Sequence, residues 1–314
     1  MLIKVSCVVL AIEWDVPTNM NECATNEAQT TTWKGGRISE SIRCVLANNP
    51  SPYVFCGTNT WIISRTTPGR CYVFDPGPDL PEHVKAIIDA CSEDGLQIDA
   101  IFNTHDHVDH SSCSQKLAHA TGAPLYSKKA NNLPLGNFEA SADLPRLLVV
   151  PLPGHSSDSL GFAFPDIHAI VTGDLLFEQS PTTISVLPGS LGQYFESLDA
   201  LMSLVEEDGY HTLLTGHGLP VDDPRLIIQR SIDHRKKRLD AVAQAAGKLR
   251  VLNSHRIWKD VYFTGDRSLY FGARINVLAQ LQYLRTLDDP RVRGKKFDFL
   301  SRQMMRLVKR LIKV

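Results

Sequence analysis

Residues 103–112 read NTHDHVDHSS and place three histidines and two aspartates in the six positions from His105 to His110. Imidazole nitrogen and carboxylate oxygen are the donors that zinc and related divalent metals take. In His105-Asp106-His107 an extended backbone turns both imidazoles the same way, because side chains alternate along it. Asp109 and His110 follow where the loop is expected to enter a helix over DHSSCSQKLAHATG. One loop can thus feed two adjacent metal positions. Three further donors each stand behind a glycine: His155 after Gly154, Asp174 after Gly173 and His217 after Gly216. Glycine permits sharp turns and close backbone approach. His155 completes a set of three with His105 and His107, His217 joins Asp109 and His110, and Asp174 can bridge the two sets. Two metals roughly 3.5–4 Å apart would bring the pKa of a shared water toward neutrality and stabilise developing oxyanion charge. The density of this pattern sets the seven apart from His83, His119, His168, His211 and His255, which read as ordinary surface or core histidines.

The elements that must carry these residues are short apolar runs. IDAIFNT leads to His105, RLLVVPLPG to His155, HAIVTG to Asp174 and HTLLTG to His217. Runs of this kind are buried on both faces of a sheet. Four strand ends therefore deliver a histidine or aspartate to what the pattern predicts is one place. SIRCVLA, TNTWIIS and CYVFDPG read as further strands, separated by Gly and Pro. PEHVKAIIDACSEDG reads as a helix with Val84, Ile87, Ile88 and Cys91 on one face and Gly95 beyond its end. YFESLDALMSLVEEDG reads as a second helix with Phe195, Leu198, Met202 and Val205 turned inward. KKANNLPLGNFEASADLP has no periodicity and is expected to be a loop over the site. Residues 14–38 are polar and aperiodic, which predicts an extension or a partly disordered segment.

THDHVDH resembles the HxHxDH signature of the metallo-beta-lactamase superfamily, and PGH at 153–155, TGD at 172–174 and TGHG at 215–218 resemble its later motifs. The resemblance covers about residues 40–224. It implies an α+β fold, a four-layer αββα sandwich with the site at the strand ends. It also implies that His105, His107 and His155 hold one metal, that Asp109, His110 and His217 hold the other, and that Asp174 lies between them. Asp75 in VFDPGP fits the superfamily as a support for the histidine loop, and equally fits a turn-starting Asp before Pro-Gly. NPSPYVFCGTNTW (49–61) is similar to the entry strands of a beta-lactamase-like protein 2 and glyoxalase II-like branch. DHRKKRLDAV (233–242) resembles that branch's HRxxR segment. This makes His234, Arg235 and Arg238 candidates to touch substrate or to support the ligands, against the plainer reading of a solvated helix face.

The charge is divided along the chain. Lys and Arg number 11 in residues 1–224 and 22 in 225–314, against 27 and 7 Asp and Glu, so formal charges of −16 and +15 compose the net −1. A split this large predicts two modules with different electrostatic tasks. The expected division is an extension over 1–39, a catalytic domain over 40–230 and a basic domain over 231–314. In the last, residues 236–250, SHRIWKDVYF with Ser254 as N-cap, and SLYFGARINVLAQLQYLRTLDD with Ser268 as N-cap read as three helices. PRVRGKKFDF reads as a hairpin with Gly294 at its turn. Three helices and a hairpin resemble the winged-helix module that follows the catalytic domain in the same branch. Arg291, Arg293, Lys295 and Lys296 on such a wing could meet phosphates. The basic, amphipathic SRQMMRLVKRLIKV at the end has no counterpart in that pattern.

No apolar run reaches the roughly 18 residues of a membrane span, and MLIKVSCVVLAIEW lacks the cleavage site of a signal peptide. Seven cysteines, an odd number without close pairs, fit free thiols in a cytoplasm. Together these features predict a cytoplasmic, binuclear metal-dependent hydrolase in which a metal-bound hydroxide attacks a thioester or related ester of an anionic small molecule. Asp109 would orient the nucleophile. The expected cofactors are two divalent ions, zinc foremost, with manganese and iron suited to the same donors. The alternative is a metal-dependent endoribonuclease acting on single-stranded RNA, which the basic tail favours. A non-catalytic nucleic-acid-binding role is disfavoured by the complete set of seven donors. The sequence leaves room for a homo-oligomer.

Overall fold

The structure, a computed structural model, describes residues 33–51, 53–66, 68–129, 132–138, 143–184, 186, 190–263 and 270–312. Among these, the first sheet has the order β1-β2-β3-β4-β5-β6. Its strands are β1 Gly35–Ser39, β2 Ile42–Leu46, β3 Asn59–Ser64, β4 Gly69–Phe74, β5 Leu96–Phe102 and β6 Leu125–Tyr126. β1 to β4 run antiparallel, and β4, β5 and β6 run parallel. The second sheet has the order β11-β10-β9-β8-β7, built from β7 Gly136–Phe138, β8 Leu147–Pro151, β9 Leu160–Phe164, β10 Ala169–Gly173 and β11 Thr212–Thr215. Eight helices are described: α1 Pro81–Glu93, α2 Val108–Ser111, α3 Ser114–Thr121, α4 Ser190–Glu207, α5 Pro224–Gly247, α6 Ser254–Val261, α7 Tyr270–Thr286 and α8 Phe299–Ile312.

Strand alternation explains the layers. Trp61 and Ile63 of β3 and Tyr72 and Phe74 of β4 face the other sheet, where they meet Phe162 and Phe164 of β9. Ile62, Cys71 and Val73, one residue out of phase, face α1 and α3 through Ile87, Cys91 and Leu117. On the far side, Ala163, Ile170 and Leu213 of the second sheet pack on Leu191, Tyr194 and Leu198 of α4 and Ile227 and Ile232 of α5. The result is helix, sheet, sheet, helix, an α+β sandwich of four layers. One irregularity matters for the site. Cys71 pairs with Ile98 but Tyr72 with Ala100, so Asp99 is passed over. This bulge turns Ile98 to the helices while Ala100 and Phe102 enter the inter-sheet core.

Several expectations change. β1 lies inside the predicted extension, and the described end of that segment is an edge strand of the first sheet. Within the predicted loop over 128–145, Gly136–Phe138 pairs with β8 instead. Helix α4 starts earlier than its periodicity suggests, with Tyr194, Leu198 and Leu201 fully inside and Phe195, Met202 and Val205 at the rim. The basic part is helical, with α5 to α8 packed on their own core of Val242, Leu252, Trp258, Leu278 and Val292. Helix α5 runs unbroken through residue 230, where the charge division had placed a boundary.

The hairpin around Gly294 is absent. Asp289 explains why: its carbonyl accepts from the amides of Val292 and Arg293 at 3.1 and 3.0 Å, and its carboxylate binds Arg291. Those contacts wind the segment into turns, leaving a single bridge between Leu252 and Phe297. The proposed cap Ser268 lies outside the described residues.

The two sheets are tied at one end by Asn59, at the start of β3. Its amide donates to the Gly216 carbonyl at 2.8 Å, and its Nδ2 donates to the carbonyls of Thr215 and Gly218 at 3.0 and 2.8 Å. Trp61 Nε1 also donates to the Thr215 carbonyl, at 3.0 Å. A buried carbonyl left unpaired costs about 1–3 kcal/mol. Replacing Asn59 with Ala orphans the Gly218 carbonyl and is therefore expected to lower stability by about 1–3 kcal/mol. Urea unfolding would check this, and a loss under about 0.5 kcal/mol would mean that Asn59 is not a tie.

Candidate metal centre

The seven donors stand at the C-terminal ends of strands. His105, His107, Asp109 and His110 follow β5 and run through the single turn α2. His155 follows β8, Asp174 follows β10 and His217 follows β11. Backbone bonds bring these ends together: Leu160 N donates to the Thr104 carbonyl across the sandwich, and Gly216 N donates to the Gly173 carbonyl between β11 and β10, both at 2.8 Å. Their ligand atoms form three groups: His105, His107 and His155; His105, His110 and Asp174; and Asp109, His110 and His217. Within each group the atoms lie inside 4.8 Å of one another, a spacing that can hold a metal ion.

The outer nitrogens of four imidazoles are tied back, and the hydrogen-bond network assigns their protons. Thr104 Oγ1 donates to Asp75 Oδ2 at 2.7 Å, so it accepts from His105 Nδ1 at 3.0 Å. His110 Nδ1 donates to Asp75 Oδ2 at 2.9 Å. His155 Nδ1 donates to the Thr183 carbonyl at 2.8 Å, and His217 Nδ1 to the Gly57 carbonyl at 3.3 Å. Each of these Nε2 atoms is then aimed inward. His105 Nε2 is 2.9 Å and His155 Nε2 is 3.0 Å from His107 Nδ1, and His110 Nε2 is 3.3 Å from His217 Nε2. Nitrogens bound at 2.0–2.1 Å in a tetrahedral zinc site lie about 3.3 Å apart. In the set of His105, His107 and His155, which burial keeps neutral, converging lone pairs at this spacing repel one another without a cation between them.

Asp174 sits in the middle. Oδ1 is 3.3 Å from His110 Nε2, and Oδ2 is 3.6 Å from His155 Nε2 and 3.4 Å from His217 Nε2. Its buried Oδ1 accepts no hydrogen bond from the described residues, as expected of an oxygen that meets a cation. Asp109 Oδ2 is 3.4 Å from His217 Nε2, and Asp109, with 22% of its side chain exposed, and the half-buried His107 open the cluster to solvent.

The electrostatics separate the two histidine sets. Burial, then the neighbouring imidazoles, push His105 well below the ordinary histidine value and His107 down to about 4. Burial also lowers His155. Burial opposes charge on His110 and His217 as well, but Asp174 and then Asp109 outweigh it. His110 rises well above its usual value and His217 rises to about 9. In return, and against burial, His110 and His217 hold Asp109 and Asp174 below the usual carboxylate range.

Asp75 answers the question the sequence left open. It is buried, its Oδ1 accepts from Thr104 N at 2.7 Å, and its left-handed backbone, φ 50°, aims the carboxylate under the loop. It supports two histidines at once and is more than a turn former. His83, read as an ordinary histidine, underpins it: Nε2 is 2.8 Å from Thr60 Oγ1, which donates to the Asp75 carbonyl at 2.7 Å. The other four ordinary histidines are exposed. His234, Arg235 and Arg238 lie on α5, outside the ligand cluster. Arg235 is buried rather than solvated, and Arg238 donates to the Val261 carbonyl at 2.9 Å while lying over the Tyr262 ring. Thr60, Thr104, Thr183 and Asn59 were missed. Their one trace is polarity inside apolar strands, as in TNTW at 58–61.

Residues 53–146 match the family model of the metallo-beta-lactamase superfamily. A beta-lactamase-like protein 2 homolog of Caenorhabditis elegans is 23% identical over 261 residues, 79% of this chain and 85% of that protein. An atrochrysone carboxyl ACP thioesterase of Aspergillus fumigatus is 25% identical over 209 residues, 64% of this chain and 63% of that one. The crystal structure of a beta-lactamase domain protein from Burkholderia ambifaria superposes with a TM-score of 0.67 at 18% identity, over 81% of this chain and 88% of that chain. Residues 53–146 thus match that superfamily's model, and the chain shares the fold of this solved structure.

Two variants test the centre. A Cβ at Gly216 would stand 2.3 Å from Asp174 Oδ1 and 2.7 Å from His110 Cε1. Gly216→Ala is therefore expected to cut bound divalent metal at least tenfold while the far-ultraviolet circular dichroism is kept; unchanged metal content would contradict the geometry. Burial pushes His83 down to about 4, so the fold favours its neutral form. That stability, up to about 3 kcal/mol, is present above pH 6.5 and fades toward pH 4. The stability gap between wild type and His83→Gln should accordingly shrink over that interval, and a constant gap would refute it.

Proposed function

We propose that this chain hydrolyses a thioester or related ester of an anionic small molecule with the help of two divalent metal ions, zinc foremost. His105, His107 and His155 would hold one ion, and Asp109, His110 and His217 the other. Asp174 would stand between them. The observation that carries this reading is the convergence of inward Nε2 atoms whose outer nitrogens are already committed to protein acceptors. When bound, the ions would supply Lewis acidity and a water acidified toward neutral pH.

The chain's own residues supply the rest. Asp109 is the accessible carboxylate of the cluster, and its depressed pKa keeps it charged. It orients the attacking water and accepts its proton at Oδ2. The water oxygen adds to the acyl carbon and the carbon–sulfur bond breaks. The proton passes to the departing sulfur, leaving a carboxylic acid and a thiol. Buried His105, Asp174 and His217 hold the site rigid and largely free of bulk water, which strengthens every electrostatic contact within it. Lys128 Nζ donates to the Ser157 carbonyl at 3.0 Å, two residues from His155, and the charge of Lys129 acts on Asp106. These two lysines suit an anionic substrate at the rim. The thioesterase relative is in accord with this substrate class.

A second reading, metal-dependent cleavage of single-stranded RNA, is favoured by the +15 charge of residues 225–314. Against it, Arg291 is held by Asp240 and Asp289, and Arg293 by Asp288. No described helix is long and apolar enough to cross a membrane.

The test is a panel of acyl thioesters run beside labelled single-stranded RNA, with the metal-loaded protein and Asp109→Ala. Thioester turnover that falls at least a hundredfold in the variant is expected. RNA cleavage that falls steeply with added salt, without thioester turnover, would replace this reading with the second.

A further inference from the structure

His155 differs from the other histidines in where its support comes from. Asp75, on the first sheet, holds His105 and His110. The imidazole of His155 instead rests on the segment between β10 and α4. Its Nδ1 lies 2.8 Å from the Thr183 carbonyl and 3.0 Å from Thr182 Oγ1. Thr182 to Ile184 belong to no described strand or helix, so their own backbone pairing does not fix them.

The C-terminal helices fix them. Arg235 of α5 donates through its guanidinium to the Thr182 carbonyl. Ile184 N donates to Asn276 Oδ1 of α7 at 3.2 Å, and Gln282 of the same helix donates to the Val186 carbonyl at 2.6 Å. Arg235 also reaches the wall behind the ligand. Its guanidinium lies over the Tyr194 ring, 5.3 Å from the centroid. Tyr194 in turn backs onto Gly154, where a Cβ would stand 2.6 Å from the Tyr194 Cα. One guanidinium thus touches both the segment in front of His155 and the side chain behind its preceding residue. Arg235 is only 4% exposed, so it is spent inside the protein and does not face a substrate. A planar, permanently charged group with several donors serves a carbonyl and stacks on an aromatic face in one fixed geometry, which a lysine's point charge does not reproduce.

We propose that Arg235 is a positioning residue for His155, and that through it the C-terminal helices are a working part of the metal centre. The proposal rests on the reading that His155 is a metal ligand. Partners that orient a ligand typically change metal affinity 10–100-fold when removed, and they do so at the metal they serve. A residue of purely structural importance would weaken both metals alike through the fold.

The measurement is competition titration of cobalt(II) or zinc into the metal-free protein, following the two binding steps separately. His155→Ala identifies the step to which His155 contributes. Arg235→Met, which keeps bulk and removes the donors, is expected to weaken that same step about 10–100-fold and leave the other within about threefold. Arg235→Lys, which restores one donor, should recover part of the loss. Arg235→Lys also keeps a charge inside the fold, so a partial weakening confined to that step carries the test if Arg235→Met does not fold. Equal weakening of both steps, or metal binding unchanged while only the melting temperature falls, would overturn the proposal. A wild-type protein that binds neither metal would overturn the two-metal reading instead.

Discussion

One buried carboxylate fixes the geometry on which the rest of the site depends. Asp75 accepts from Thr104 N, from Thr104 Oγ1 and from His110 Nδ1. A carboxylate taken from water is stable only when such donors replace the solvent, so the loop after β5 has one favourable path. That path fixes the ring of His105 through Thr104 and the ring of His110 directly. The bulge at Asp99 places Phe102 in the inter-sheet core, and the chain leaves the strand at the level where Asp75 waits. Packing and polar pairing therefore act on the same few residues.

The second sheet completes what the first begins. Asn59 joins β3 to the turn that carries His217, and Gly216 lets Asp174 and His110 approach closer than any side chain would permit. Four outer nitrogens are bound to protein oxygens, so the protein itself orients these imidazole rings. Such preorganisation reduces the ordering that metal binding would otherwise require.

The basic C-terminal part looks different in three dimensions from its composition. Much of its charge is turned to internal work: Arg291 braces α5 through Asp240, Lys295 caps the end of the same helix, and Arg285 lies over Phe297. Since α5 packs both on the second sheet and in the C-terminal core, charge and apolar burial join this part to the sandwich.

By itself the sequence pointed to the strands and to seven candidate donors, and its resemblance to a known superfamily implied the sandwich. Strand period, apolar runs and the glycines before His155, Asp174 and His217 are local signals, since each reflects what a residue's immediate neighbours must do. Only the tertiary structure decided who supports those donors. Asn59 and Thr215 are 156 positions apart, Arg235 and Thr182 are 53 apart, and His155 and Thr183 are 28 apart. A side chain that bonds to a distant backbone carbonyl leaves no periodic mark, because every residue carries a carbonyl. The turn at Asp289 was hidden for a different reason: its glycine and flanking basic residues read as a hairpin, while the local hold of Asp289 on Arg291 and two amides winds it into turns. Chemistry was written in residue types at fixed spacing; orientation was left to contacts that folding alone brings together.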